Sequence, residues 1–148
     1  MGKPKAIVCD IDGVCLDSSL IFKELFDLKL KGDAKWDYFR EHCNGPRVSK
    51  IENSRILINN ANNCAHIIFS TARNEKCREA TEQRLLSDGF FFEKIYMRSQ
   101  NDYRESKDVK KDHLLEIMKS YDILAFIDDD LTNCEMAKEL GILTLRKV

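Results

Sequence analysis

The chain has 148 residues, with 24 lysines and arginines against 25 aspartates and glutamates and a formal charge of -1. That is one domain's length, enough to bury a core, and the charge balance excludes a bulk-basic nucleic-acid binder while leaving room for a local basic patch. Six cysteines without CxxC pairs or zinc spacing point to reduced thiols and a cytoplasmic protein. No apolar run approaches the roughly 20 residues of a membrane span and no signal-peptide core is present, so no membrane role is expected.

Ala6 to Cys9, small and β-branched without a break, reads as a parallel strand covered on both faces. It ends at Asp10-Ile11-Asp12-Gly13-Val14, and the carboxyl end of such a strand is where open α/β sheets hold ligands. Two adjacent acids repel, so the pair is costly unless a cation or a shared proton offsets it. Asp17-Ser18-Ser19 offers an N-cap for a helix over Leu20 to Phe26. After Lys31-Gly32-Asp33, a second amphipathic helix over Ala34 to Cys43 gathers Trp36, Tyr38 and Phe39 on one side. The stretch from 17 to about 44 lacks a strand and is expected to be a small helical cap insertion over the sheet's carboxyl end. Asn44-Gly45-Pro46 turns the chain, and Val48 to Asn60 is expected to be a third helix. Cys64 to Ser70 reads as the second buried strand, with His66 a structural residue within it, and leads into Thr71-Ala72-Arg73. A helix from Asn74 to Leu86, a strand over Lys94 to Met97, a polar loop from Arg98 to Ser106 and a helix over Asp108 to Tyr121 follow. Ile123 to Ile127 is a strand ending in Asp128-Asp129-Asp130, Leu131 to Leu140 a helix capped by Gly141, and Ile142 to Leu145 a last strand. Strands alternating with helices predict an α/β fold, a doubly wound, mostly parallel Rossmann-like sheet in a single domain.

In such a sheet Asp10/Asp12, Thr71/Arg73 and Asp128/Asp129 converge at one end. Four carboxylates there suit a hard divalent cation, magnesium above all. The three histidines, His42, His66 and His113, lie away from these strand ends, which argues against zinc. A carboxylate can also attack phosphorus and form an aspartyl-phosphate. That requires positive charge on the phosphoryl oxygens and a second group to protonate the leaving oxygen. In this scheme Asp10 attacks, Asp12 serves as acid and then base, and Thr71 donates a hydrogen bond to phosphate. A lysine near the start of the helix after the third strand supplies the charge, and Lys107, Lys110 and Lys111 all qualify.

Asp10-Ile11-Asp12-Gly13-Val14, Phe69-Ser70-Thr71-Ala72-Arg73, a lysine and Ile127-Asp128-Asp129, in that order, resemble the four motifs of the haloacid dehalogenase (HAD) superfamily of phosphohydrolases. The resemblance implies Asp10 as nucleophile, Asp12 as acid/base, Thr71 and a lysine on phosphate, and magnesium held among Asp10, Asp12, Asp128 and Asp129. A narrower resemblance, to the 3′-phosphatase domain of bacteriophage polynucleotide kinase and its stand-alone relatives, rests on Met97-Arg98, Asp102-Tyr103-Arg104, Val109-Lys110 and Trp36-Asp37-Tyr38-Phe39. Counted from Arg104, the family lysine falls on Lys110 rather than Lys111. Ala72, Asp130 and Glu105-Ser106 stand where those relatives usually carry Gly, Arg and Pro-Asp, and no Gly-x-x-x-x-Gly-Lys loop of a kinase half is present. The function implied is a magnesium-dependent phosphomonoester hydrolase acting on a phosphorylated nucleic-acid end, a polynucleotide 3′-phosphatase. A nucleoside monophosphate or another small ester is the alternative substrate. Arg73, Arg98 and Arg104 can bind further phosphates, and Trp36 can stack a base. A receiver-type signalling domain also uses acids, a threonine and a lysine, but it carries its acceptor aspartate on a middle strand, where this chain has Thr71. Nothing in the sequence calls for an obligate protein partner or sets an oligomeric state.

Overall fold

Apolar strands alternating with amphipathic helices assemble, in the computed structural model, into a five-stranded sheet; the structure describes residues 2–148. The strands are β1 (Lys5–Cys9), β4 (His66–Asn74), β5 (Lys94–Arg98), β6 (Asp122–Asp128) and β7 (Thr144–Arg146), in the order β5-β4-β1-β6-β7. Every neighbouring pair is parallel. A separate antiparallel pair joins β2 (Leu16–Asp17) to β3 (Ser49–Lys50). The helices are α1 (Ser19–Asp27), α2 (Gly32–His42), α3 (Glu52–Ala61), α4 (Arg78–Ser87), α5 (Ser106–Met118) and α6 (Leu131–Glu139).

Side-chain alternation along the strands builds two apolar layers. Ala6, Val8, Ile68 and Phe126 pack against Leu114 and Ile117 of α5 and Met136 and Ala137 of α6. Cys9, Ile67, Phe69, Ile95 and Met97 face the other way, onto a cluster with Ile21 and Leu25 of α1, Phe39 of α2, Ile58 of α3 and Leu85 of α4. With both faces covered, the sheet is doubly wound, and its strands read as continuous apolar runs for that reason.

The structure departs from the sequence reading in a few places. The helix expected from Val48 starts only at Glu52, because Ser49 and Lys50 pair with β2 and the Ile51 N–H donates to the Cys15 carbonyl at 2.8 Å. β4 runs past Ser70 to Asn74, which pairs with Arg98 of β5. His66 is not buried in that strand: it lies exposed at its start, 3.5 Å from Glu93. Tyr38 leaves the expected aromatic cluster and donates its hydroxyl to Glu24 at 2.7 Å, while Trp36 and Phe39 meet edge to face with centroids 6.4 Å apart.

Register fixes what comes next. Cys9 pairs with Phe69 on one side and Ile127 on the other. One residue further on, Asp10, Ser70 and Asp128 lie abreast at the sheet's carboxyl end, and the Asp10 N–H still bonds the Ile127 carbonyl at 2.9 Å.

Candidate active site

Asp10 leaves β1 with its carboxylate in a tight loop: Gly13 N–H bonds the Leu16 carbonyl at 2.8 Å, and the N–H groups of Cys15 and Leu16 bond the Ile11 carbonyl at 2.8 and 3.0 Å. Gly13 has φ of 84°, and a Cβ there would collide with the Asp129 carboxylate. Only glycine satisfies both the backbone angle and the close approach.

Asp10, Asp128 and Asp129 each offer a carboxylate oxygen, and these atoms lie within 4.8 Å of one another. Lys110, in the second turn of α5, is buried among them and bridges Asp10 at 2.9 Å and Asp128 at 2.7 Å. Lys111, its neighbour, is exposed. Burial works against the Lys110 charge, but Asp10 and Asp128 outweigh it and hold the ammonium protonated. Burial, reinforced by Asp128 and Asp12 and opposed by Lys110, pushes the Asp10 carboxyl up; burial and then Asp128 do the same to Asp129. One lysine does not offset three packed carboxylates. The side-chain amide of Asn133 sits 3.3 to 3.4 Å from both Asp128 oxygens, and its buried Oδ1 has no partner. An all-oxygen set with excess negative charge and an orphaned polar atom beside it fits a hard divalent cation such as magnesium.

The Asp12 carboxylate, expected among the metal ligands, lies outside that cluster. It is turned to Arg73, whose Nε and Nη2 donate to it at 2.9 and 2.7 Å, and to the Ser18 hydroxyl. Burial disfavours its charge, yet Arg73 and Ser18 prevail and hold the carboxyl below its usual range. Arg73, expected on a substrate phosphate, is turned into the protein. It is buried, and its remaining N–H groups go to Asn44 Oδ1 at 2.7 Å, Thr81 Oγ1 at 3.1 Å and the Cys43 carbonyl at 3.1 Å. All five guanidinium donors are engaged within the protein, so Arg73 positions Asp12 and has no donor left for a substrate. Thr71 is buried beside them, its Oγ1 accepting the Arg73 N–H at 3.1 Å, which leaves its own O–H free to donate.

Above these groups lies a cavity of about 1050 Å³, lined from α1 and α2 by Phe22, Trp36, Phe39 and Arg40 and from the opposite rim by Lys76, Arg98, Tyr103 and Arg104. The α1–α2 pair therefore does stand over the carboxyl end of the sheet. Trp36 is half-exposed there, with Lys35 Nζ 4.6 Å from its ring centroid. Arg98 points inward instead, donating to the carbonyls of Ala72 at 3.0 Å and of Asp102 and Arg104 at 3.1 and 2.5 Å, and so braces the loop after β5. Arg104 is exposed and paired with Asp102 and Asp112 at 2.8 and 2.7 Å. Asp130 caps α6 by accepting from the N–H groups of Thr132 and Asn133. Ser18, Asn44, Thr81, Asn133 and Lys76 were not singled out by the sequence. Ser18 read only as a helix cap, and it gives its hydroxyl to Asp12 while Asp17 takes over the capping of Ser19.

A sheet whose strand ends gather a buried lysine, a threonine and paired acids beneath a two-helix cover is chemically suited to phosphoryl transfer. A family profile described as HAD superfamily, subfamily IIIB (acid phosphatase) matches residues 1–143, and the chain belongs to that family of phosphatases. No curated protein matches it by sequence. Among solved structures it is similar to a Pnkp1/Rnl/Hen1 complex chain (TM-score 0.78, 22% identity, 98% of this chain and 46% of that one). It is also similar to a haloacid dehalogenase-like hydrolase from Streptococcus pneumoniae (0.68, 19%, 95% and 83%). A third similar structure is a class C acid phosphatase from Bacillus anthracis with tungstate bound (0.66, 22%, 90% and 54%). The chain thus spans less than half the length of the Pnkp1 complex chain it matches.

Proposed function

We propose that the protein hydrolyses phosphate monoesters through an aspartyl-phosphate on Asp10, with the phosphorylated 3′ end of a polynucleotide as substrate. The observation that carries the chemistry is the pairing of two carboxylates with opposite environments: Asp10 beside Lys110 and the acidic cluster, Asp12 beside Arg73 and Ser18. Asp10 attacks phosphorus, while the Lys110 ammonium and the Thr71 hydroxyl donate to the phosphoryl oxygens as charge develops. Asp12, held anionic, is set to take a proton from water in the second half-reaction. In the first half it must carry a proton to the leaving oxygen, and the arriving phosphate's negative charge raises its proton affinity for that purpose. A magnesium ion held by Asp10, Asp128 and Asp129 would add Lewis-acid polarisation of the phosphoryl group.

The substrate reading draws on the cavity. A phosphate ester alone fills little of about 1050 Å³, and the lining offers aromatic faces on Phe22, Trp36 and Tyr103 with cationic groups on Lys76 and Arg104. Stacking faces with charge alongside suit a nucleotide chain end. The similarity to a chain of an RNA repair complex points the same way. Five of the six free cysteines are buried, and the cytoplasm is the proposed location. No helix among the described residues is long and apolar enough to cross a membrane.

The test is a panel with magnesium: 3′- and 5′-phosphorylated oligonucleotides, 3′- and 5′-mononucleotides and a sugar phosphate. The 3′-phosphorylated oligonucleotide is expected to have the highest kcat/KM; equal or better turnover of 5′-mononucleotides makes the protein a nucleotidase instead.

A further inference from the structure

A second cavity, of about 580 Å³, opens beside the first and shares Gly13, Asp17 and Asp129 with it. Its far wall is formed by Arg146, at the end of β7, and Lys147 after it. Backbone pairing fixes both. Arg146 pairs with Asp128 across β6 and β7, its Nε donates to the Asp129 carbonyl at 3.1 Å, and the Lys147 N–H donates to the Asp128 carbonyl at 2.9 Å. One of five guanidinium donors is thereby used. The other four, and the Lys147 ammonium, have no hydrogen-bond or ion-pair partner among the described residues. The two acids of this groove are engaged elsewhere: Asp17 accepts from the Ser19 N–H and hydroxyl at 3.0 and 2.5 Å, and Asp129 gathers with Asp10 and Asp128.

On the nucleic-acid reading above, on which this rests, we infer that the groove is a second phosphate-binding subsite. It takes the backbone of a polynucleotide segment lying beyond the reacting 3′-phosphate, as at a nick in a duplex. Asp10 follows the central strand β1, which has β4 and β5 on one side and β6 and β7 on the other. Lys76 follows β4 and Arg104 follows β5, so these cations occupy one flank of the site, and Arg146 and Lys147 occupy the opposite flank. β5 and β7 each stand two strand spacings from β1, about 10 Å. A strand that ends at Asp10 leaves by one flank and meets the cations of that flank alone. Cations on both flanks are engaged together when nucleic acid continues past the reacting end. Arg146 turns a free guanidinium edge to the groove, and such an edge matches the paired oxygens of a phosphate. Lys147 adds a point charge beside it.

The experiment measures binding in the Asp10→Asn background, where no turnover intervenes, at several salt concentrations. The probes are a DNA duplex with a 3′-phosphate at a nick, the same 3′-phosphorylated strand alone, and a nucleoside 3′,5′-bisphosphate. The nicked duplex is expected to bind more tightly than the single strand. Adding Arg146→Gln with Lys147→Gln should lower its log–log salt slope by about 1.8, two duplex phosphate contacts at about 0.9 each, and bring its affinity down to that of the single strand. The other two probes should not respond. Lys147→Glu alone, which removes no contact seen within the protein, should weaken the nicked duplex in the same direction. Unchanged affinity and slope at the nick overturn the inference. An equal loss on the single strand or on the bisphosphate also overturns it, because the cations then serve the reacting nucleotide itself. Failure of the 3′-phosphatase reading shows elsewhere, as no phosphate released from the 3′-phosphorylated single strand by the unsubstituted chain.

Discussion

At the scale of single residues, the division between Asp10 and Asp12 follows from what each carboxylate touches. Asp10 shares Lys110 with Asp128, and Asp12 has a bidentate arginine. Substituting Asp10 by Asn removes the attacking oxygen, and no phosphoenzyme should form on rapid acid quench with labelled substrate. Asp12→Asn keeps the nucleophile and loses the proton carrier, so kcat should fall about 10²–10⁴-fold while labelled phosphoenzyme accumulates on a good leaving group. Wild-type turnover in either variant would refute the roles. Asp10, Thr71, Asp128 and Asp129 were legible in the sequence because each follows an apolar run, and a parallel sheet brings run ends together. Lys110 was legible only by its spacing from Arg104, since composition alone left three lysines open. The engagement of Arg73 was not legible. Its partners lie 29 and 8 residues away, at Asn44 and Thr81, and no local pattern records that meeting.

At the scale of elements, α5 must be held in register with the sheet for Lys110 to reach Asp10. His113, one turn after Lys110, provides a polar clamp: it lies 2.8 Å from Ser70 on β4 and 3.1 Å from the Met97 carbonyl on β5. Because that carbonyl can only accept, His113 carries its proton on Nε2 and accepts from the Ser70 hydroxyl at Nδ1. Burial lowers its pKa from 6.5 to about 4. A histidine depressed in the fold takes up a proton more readily when unfolded, so its contribution is complete above about 6.5 and is lost as pH falls toward 4. The loss is on the order of 3 kcal/mol. Urea unfolding at several pH values should show this decline in the wild type and a shallower one in His113→Gln; identical pH slopes would remove the clamp from the account. The histidine itself was visible in the sequence, but its partners depend on the β4–β5 register. The β2–β3 pair escaped notice for a related reason. Two-residue strands carry no alternation to read, and Ile51, Ile56 and Ile58 suggested a helix starting too early.

At the scale of the whole molecule, a nearly neutral chain packs three aspartates together at the sheet's end and places cations at the rim of the cavity above them. Chelation should leave the protein nearly inactive and added magnesium should restore it, whereas full turnover in excess chelator would contradict the carboxylate–cation reading. On the proposed substrate reading, the rim chooses among phosphate esters. Arg98 is committed to three carbonyls and cannot swing out without releasing its loop. Arg104 is exposed, and its pairs with Asp102 and Asp112 are surface ion pairs, a kind that contributes only about 0–1 kcal/mol. A backbone phosphate can therefore displace them, and bidentate recognition of that phosphate replaces what is lost. Such contacts release counterions, so kcat/KM for a 3′-phosphorylated oligonucleotide should fall with salt, by a slope of about 0.7 per phosphate engaged, while a mononucleotide, which offers no second phosphate, should hardly respond. Arg104→Ala should lower the oligonucleotide slope by roughly one contact's worth and leave turnover of a small generic ester unchanged. Equal loss on every substrate would move Arg104 into the catalytic scaffold, and a mononucleotide preference without a salt effect would leave the rim with no part in choosing the substrate.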